Sequence, residues 1–130
     1  MSKIKKVLSG QGPYSRIWFR HCYTYCNCLG LEGECYADQA ENGAARSMSG
    51  YEEWLTDVLT VDMCISICLD NNFTYAGMQY YRVCYCDNAI PTVEAPASEC
   101  NAPCDGNTDQ ICGGTWRLRG IIVDDFLRLL

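Results

Sequence analysis

Eleven of the 130 residues are cysteine, about one in twelve, and their spacing limits what this chain can become. Such density marks either a disulfide-stapled domain or a multi-zinc protein. The only histidine is His21, which removes the mixed Cys/His zinc designs. An all-cysteine zinc protein would show C-x2-C pairs, and the chain has none. It has C-x3-C three times and C-x-C twice. Disulfides, and no metal, are therefore expected.

The two spacings fit one another. Side chains at i and i+2 of a strand share a face, roughly 6.7 Å apart. Positions i and i+4 of a helix share a face, about 6 Å apart along the axis. "TVDMCISICLDNN" reads as a helix, with Thr60 as N-cap, Asp62 in the first turn and Asn71-Asn72 at its end. "FTYAGMQYY" and "VCYCD" read as strands rich in aromatic and β-branched residues. Cys64 and Cys68 on the helix can thus be bridged to Cys84 and Cys86 on a strand. Cys64–Cys84 with Cys68–Cys86 and the crossed pairing are both open. Each bridge, closing a loop of about 20 residues, would contribute roughly 3 kcal/mol. No histidine accompanies these thiols in the body, so they are structural and not catalytic.

Elsewhere the signals are weaker. Residues 1–34 read as a leader, flexible over 1–13, with Cys22, Cys26 and Cys28 in a segment of no assigned structure. Those three make the cysteine total odd, so one thiol stays free or pairs outside the chain. "ECYAD" reads as a short strand, "QAENGAARSMSG" as a loop with an Asn42-Gly43 turn, and residues 89–115 as mostly loop around Pro91, Pro96 and Pro103. "TWRLRGIIV" reads as a closing strand and residues 119–130 as a C-terminal tail.

Charge is unevenly placed within the net −6: residues 1–31 carry +5, residues 32–116 carry −12, and residues 117–130 carry +1. An acidic body repels phosphate backbones, which excludes nucleic acid as a partner. No apolar run approaches the roughly 20 residues of a membrane span. "MSKIKKVLSG" has a basic start without an apolar stretch behind it, so no secretory signal is expected within this chain. The cysteines nonetheless call for an oxidising compartment, extracellular or at a cell wall.

With these elements in view, residues 35–118 resemble the WSC domain, named after fungal cell-wall stress sensors. The resemblance rests on "CYAD", "LTVDMCISIC", "FTYAGMQYYRVCYCDN" and "ECNAPCDGNTDQICGG". It implies the pairing Cys35–Cys100, Cys64–Cys84, Cys68–Cys86 and Cys104–Cys112. It also implies a small disulfide-rich α+β fold, a helix packed on a twisted antiparallel sheet, related in plan to PAN/apple modules. Two positions depart from the family pattern, where glycine is usual: Glu34 and Asp87. If the second glycine serves a positive φ, Asp is the less costly replacement.

The resemblance further implies a noncatalytic extracellular module that binds cell-wall polysaccharide such as β-glucan, without a cofactor. Sugar rings need aromatic planes for their C–H faces and polar groups for their hydroxyls. The chain offers Tyr36, Tyr75, Tyr80, Tyr81, Tyr85, Trp54 and Trp116. If "YAGMQYY" is one strand, Tyr80 shares a face with Met78, while Tyr75, Gln79 and Tyr81 share the other. That second face, exposed, would suit a sugar. Candidate binding residues are Tyr36, Tyr75, Gln79, Tyr80, Tyr81, Asn88 and Trp116, each weighed against plain core packing. Asn72 begins an Asn-Phe-Thr glycosylation sequon. The polar strip Asp105–Gln110 could touch hydroxyls, and calcium is not expected there. Glu52-Glu53 invites a glycosidase comparison, but adjacent acids on a loop do not flank a substrate. The alternative function is a secreted protein-binding or self-adhesive domain.

Overall fold

A computed structural model of the chain describes residues 34–123 and two short strands before them, β1 (Val7–Ser9) and β2 (Arg16–Trp18). These two pair antiparallel with each other, Leu8 opposite Ile17, in a unit distinct from residues 34–123. Cys22, Cys26, Cys28 and residues 124–130 lie outside the described residues.

Residues 34–123 build a five-stranded sheet in the order β3 (Glu34–Ala37), β9 (Arg117–Ile122), β5 (Tyr75–Gln79), β6 (Val83–Asp87), β4 (Tyr51–Trp54). All its neighbouring pairs are antiparallel. A small hairpin, β7 (Pro103–Cys104) with β8 (Asn107–Ile111), stands apart from this sheet.

Among the described residues one α-helix forms, α1 (Val61–Asp70), and it starts where the sequence places it. Thr60 is extended and its hydroxyl accepts the Met63 N–H at 3.1 Å, which satisfies one free donor of the first turn. The Val61 N–H goes to Gln110 Oε1 at 2.9 Å, so β8 supplies a second cap. Val61, Cys64, Ile65 and Cys68 form the buried stripe at helical spacing. Cys64 bridges to Cys84 and Cys68 to Cys86, with Cα–Cα distances of 5.4 and 5.3 Å. The register puts Ala76 opposite Cys86 and Met78 opposite Cys84, so all four share the face that receives the helix. Cys35–Cys100 and Cys104–Cys112 complete the four bridges among the described residues, the set of pairs that the resemblance implies.

The other face of the sheet is also covered. Tyr36, Met48, Val83, Tyr85 and Leu118 form a second core cluster, with Tyr75 and Ile90 packed against it. Gly77 and Gly120 are direct partners in the register, and their missing side chains leave a bed for Met48 and Tyr36. A Cβ at Gly77 would strike the Met48 thioether, and one at Gly120 the Tyr36 ring.

Several elements differ from the sequence expectation. Glu52 and Glu53 lie on edge strand β4, not on a loop. Asn107–Gln110 belong to β8, not to a loop. β5 stops at Gln79, and Tyr80 and Tyr81 form the turn into β6. The closing strand read from "TWRLRGIIV" is present as β9, Arg117–Ile122. Asp87 is an ordinary strand residue and not among the positive-φ positions. Its carboxylate instead accepts the Ser49 N–H at 2.9 Å.

Candidate functional site

Two short tips meet beside the second core. The first is the β5–β6 turn, Tyr80–Arg82. The second is Thr115-Trp116, closed by hydrogen bonds between Gly114 and Arg117. The tips are tied together, since the N–H groups of Tyr80 and Tyr81 donate to the carbonyls of Gly114 and Cys112. Between them and the end of β4 opens a cleft of about 330 Å³, lined by Arg46, Trp54, Gln79, Tyr80, Val83, Tyr85, Thr115 and Trp116.

Its walls are aromatic and strained. Trp54, Tyr80 and Trp116 are 56%, 42% and 37% exposed. Tyr80 and Trp116 hold φ of 56° and 57°, left-handed values that bulky residues avoid. Such strain costs on the order of 1–3 kcal/mol per residue and persists where the surroundings over-determine it. Here the Trp116 carbonyl accepts from the Asp38 N–H at 3.0 Å and from Arg117 Nη1 at 2.8 Å. Arg117 is itself held by Glu41 and Glu99. On the opposite wall, Trp54 Nε1 donates to Glu52 Oε2 at 2.7 Å.

The floor is polar. Asp38, wholly buried, accepts from the Ala40 and Ser47 N–H groups and from Arg46 Nη1 at 2.7 Å. Burial pushes the Asp38 carboxyl up, but these three bonds pull it below the ordinary carboxylate value. Arg46, fixed by Asp38, has its guanidinium carbon 5.3 Å from the Tyr85 ring centre and 5.6 Å from that of Trp116. Burial pushes the Tyr85 hydroxyl up to about 12, so it stays protonated, although Arg46 pulls the other way. Gln79 is 4% exposed, and its Oε1 has no hydrogen-bond partner. An unsatisfied buried acceptor costs about 1–3 kcal/mol.

Of the candidate residues from the sequence, the structure brings Gln79, Tyr80 and Trp116 together here, along with Trp54 and Tyr85 from the wider aromatic set. Gln79 and Tyr75 do share the sheet face away from the helix. That face is not open, because Met48 and Ile90 roof it. Tyr36 is core, at 8% exposure, and Tyr75 packs against the same cluster. Tyr81 sits in the turn, its ring edge-on to Tyr80 at 5.4 Å, and does not line the cleft. Asn88 uses its Oδ1 to hold the N–H and hydroxyl of Thr74, at 3.0 and 3.2 Å. Arg46, Val83 and Thr115 were not among the candidates. Arg46 carried one signal: Arg46 and Arg82 are the only basic residues between 32 and 116, and both sit over aromatic rings.

The sulfur atoms of Cys64, Cys68 and Cys84 lie within 4.8 Å of one another, as metal ligands would. They are committed to disulfides and offer no thiolate.

Fold and site together define a small disulfide-rich α+β domain with an aromatic-walled cleft. The WSC domain family model matches residues 33–114, and the chain belongs to that family. It is 36% identical over 88 residues to a WSC domain-containing protein of Arthroderma benhamiae, which covers 65% of this chain and 9% of that protein. It is 34% identical over 86 residues to Xylosyltransferase oxt of Drosophila pseudoobscura pseudoobscura, covering 65% of this chain and 9% of the relative. Kremen protein 1 of Homo sapiens is 33% identical over 106 residues, covering 78% of this chain and 21% of the relative. The matches thus span about a tenth to a fifth of the length of these three relatives. Among the described residues no helix is long and apolar enough to cross a membrane.

Proposed function

We propose that residues 34–123 form a noncatalytic cell-surface module, extracellular or wall-bound, that holds cell-wall polysaccharide of the β-glucan type. The observation that carries this is the cleft itself: exposed Trp54, Tyr80 and Trp116 around a fixed Arg46 and an unfilled Gln79 acceptor. Aromatic planes cover sugar C–H faces, while Arg and Gln meet hydroxyls. Strained backbone under two of the three exposed rings fits a site shaped for a ligand. The lining contains no carboxylate, which supports the noncatalytic reading over a glycosidase. One helix on an antiparallel sheet also fits the proposed kinship in plan with PAN/apple modules.

Binding per site is expected to be weak, with useful strength from several copies at a wall. The test is retention of oxidised protein on insoluble β-1,3-glucan, chitin, cellulose and xylan, beside a Trp54→Ala/Trp116→Ala variant. Retention on one polymer, reduced at least tenfold in the variant with its circular dichroism unchanged, is the expected result. No retention on any polymer moves the function to protein binding or self-adhesion.

Asn72 adds a second expectation. It is exposed, at φ 67° just past α1, and β5 runs from its side of the sheet to the cleft. A five-residue strand is about 17 Å long, so a glycan at Asn72 would leave the cleft open. Protein made in a secretory host should lose mass on treatment with peptide N-glycosidase, and Asn72→Gln should abolish that loss. An unchanged mass in the wild type would rule the modification out for that host.

A further inference from the structure

We infer that Gln79 is the specificity-determining residue of the cleft, its side-chain carbonyl accepting the hydrogen of a free sugar hydroxyl. The ligand class is therefore an unsubstituted polyol face, as against an O-alkylated or O-acylated one. This rests on the carbohydrate reading and deepens it.

The position of Gln79 in the sheet is the starting point. In the register its neighbours are Val83 on β6 and Leu118 on β9, both buried and apolar. A methionine or leucine would complete that row without an unsatisfied group. The chain instead places an amide there, in the lining of the cleft, and leaves its buried Oε1 without a donor. Arg46 on the same floor can only donate, and no carboxylate lines the site. Gln79 Oε1 is thus a buried acceptor that an incoming donor would satisfy. A hydroxyl supplies that hydrogen, whereas an ether or ester oxygen at the same place supplies none. A site built to bond a hydroxyl rejects analogues lacking it, because its own polar group then stays unpaired. The three aromatic walls, by contrast, tolerate any apolar ring face. They supply affinity, and the amide supplies the choice.

The test uses the oxidised full chain with soluble hexasaccharides of β-1,3-glucan, chitin, cellulose and xylan, and methyl-etherified forms of each, read by titration calorimetry. Gln79→Met is the variant, with urea unfolding measured in parallel. The expected result has opposite signs: binding of the preferred hexasaccharide falls at least tenfold, while the urea midpoint stays level or rises. In the wild type, the methyl ether of that hexasaccharide binds at least tenfold more weakly than the free sugar. If the wild type binds and Gln79→Met binds equally well, the inference fails and the carbohydrate reading stands. If the variant loses stability along with binding, Gln79 is structural and the inference fails. Equal binding of the free and etherified sugars by the wild type overturns it even if the variant does not fold. If the wild type binds none of the sugars, both the reading and the inference fall.

Discussion

Replacing Cys35 and Cys100 together by alanine is expected to lower stability by about 4 kcal/mol, and replacing Cys104 and Cys112 by about 2.5 kcal/mol. The difference comes from the lengths of chain enclosed, 65 residues against 8. A bridge that closes a longer loop removes more freedom from the unfolded chain. The first bridge also holds the segment after β6 against edge strand β3. There the Ala37 N–H donates to the Val93 carbonyl at 2.8 Å, and the Ala95 N–H to that of Cys35 at 2.9 Å. The two helix–strand bridges enclose 20 and 18 residues and fall between, at about 3 kcal/mol each. A domain this small has roughly 5–15 kcal/mol in total, so reducing these four bridges should abolish cooperative unfolding. Urea midpoints of the paired variants check the order. Equal shifts for the long and short loops would show that loop closure does not set these contributions.

The parts of the fold that could be read in the sequence are those with local causes. Thr60, Asp62 and the Cys64/Cys68 spacing carry the helix start and its buried face within one segment. Strand β4 has no such signal, because Tyr-Glu-Glu-Trp does not alternate. It becomes a strand by pairing with β6, where Tyr51 faces Cys86. β8 is polar along most of its length and looks like loop until Cys104–Cys112 closes its hairpin. The central place of β9 depends on pairing with β3, about 80 residues earlier in the chain. No window of sequence contains both.

The site was legible to the same depth. Alternation along β5 places Gln79 on the face away from the helix, and it lies there. Alternation cannot say what covers that face, and Met48, brought in by the loop after β3, covers it. Tyr75 and Tyr36 are drawn into core for that reason. Tyr80 and Trp116 reach the cleft through left-handed turns that neither residue type announces. Arg46 reaches it because Asp38, eight residues away, anchors it from inside.

That anchor is where the largest effect on the site itself is expected. Asp38→Asn keeps the side-chain shape but removes the charge that holds Arg46. The loss should be about 3 kcal/mol, the lower end for breaking a buried pair, because Arg46 is about a third exposed. Freed from Asp38, Arg46 no longer stays stacked between Tyr85 and Trp116, so polysaccharide retention should fall with stability. Acid should do the same to the wild type. The Asp38 carboxyl titrates below its unfolded value when folded, so its contribution is complete above the ordinary value of about 3.9. It is lost as pH falls through the lower, folded value. Glu52 also acts on Arg46, from strand β4. It is present in both proteins, so the comparison with the variant removes it. The gap in urea midpoint between wild type and Asp38→Asn should therefore be level from about pH 6 to about pH 4 and narrow below that. A gap that stays constant into acid would mean that the Asp38 charge does not hold the floor of the cleft.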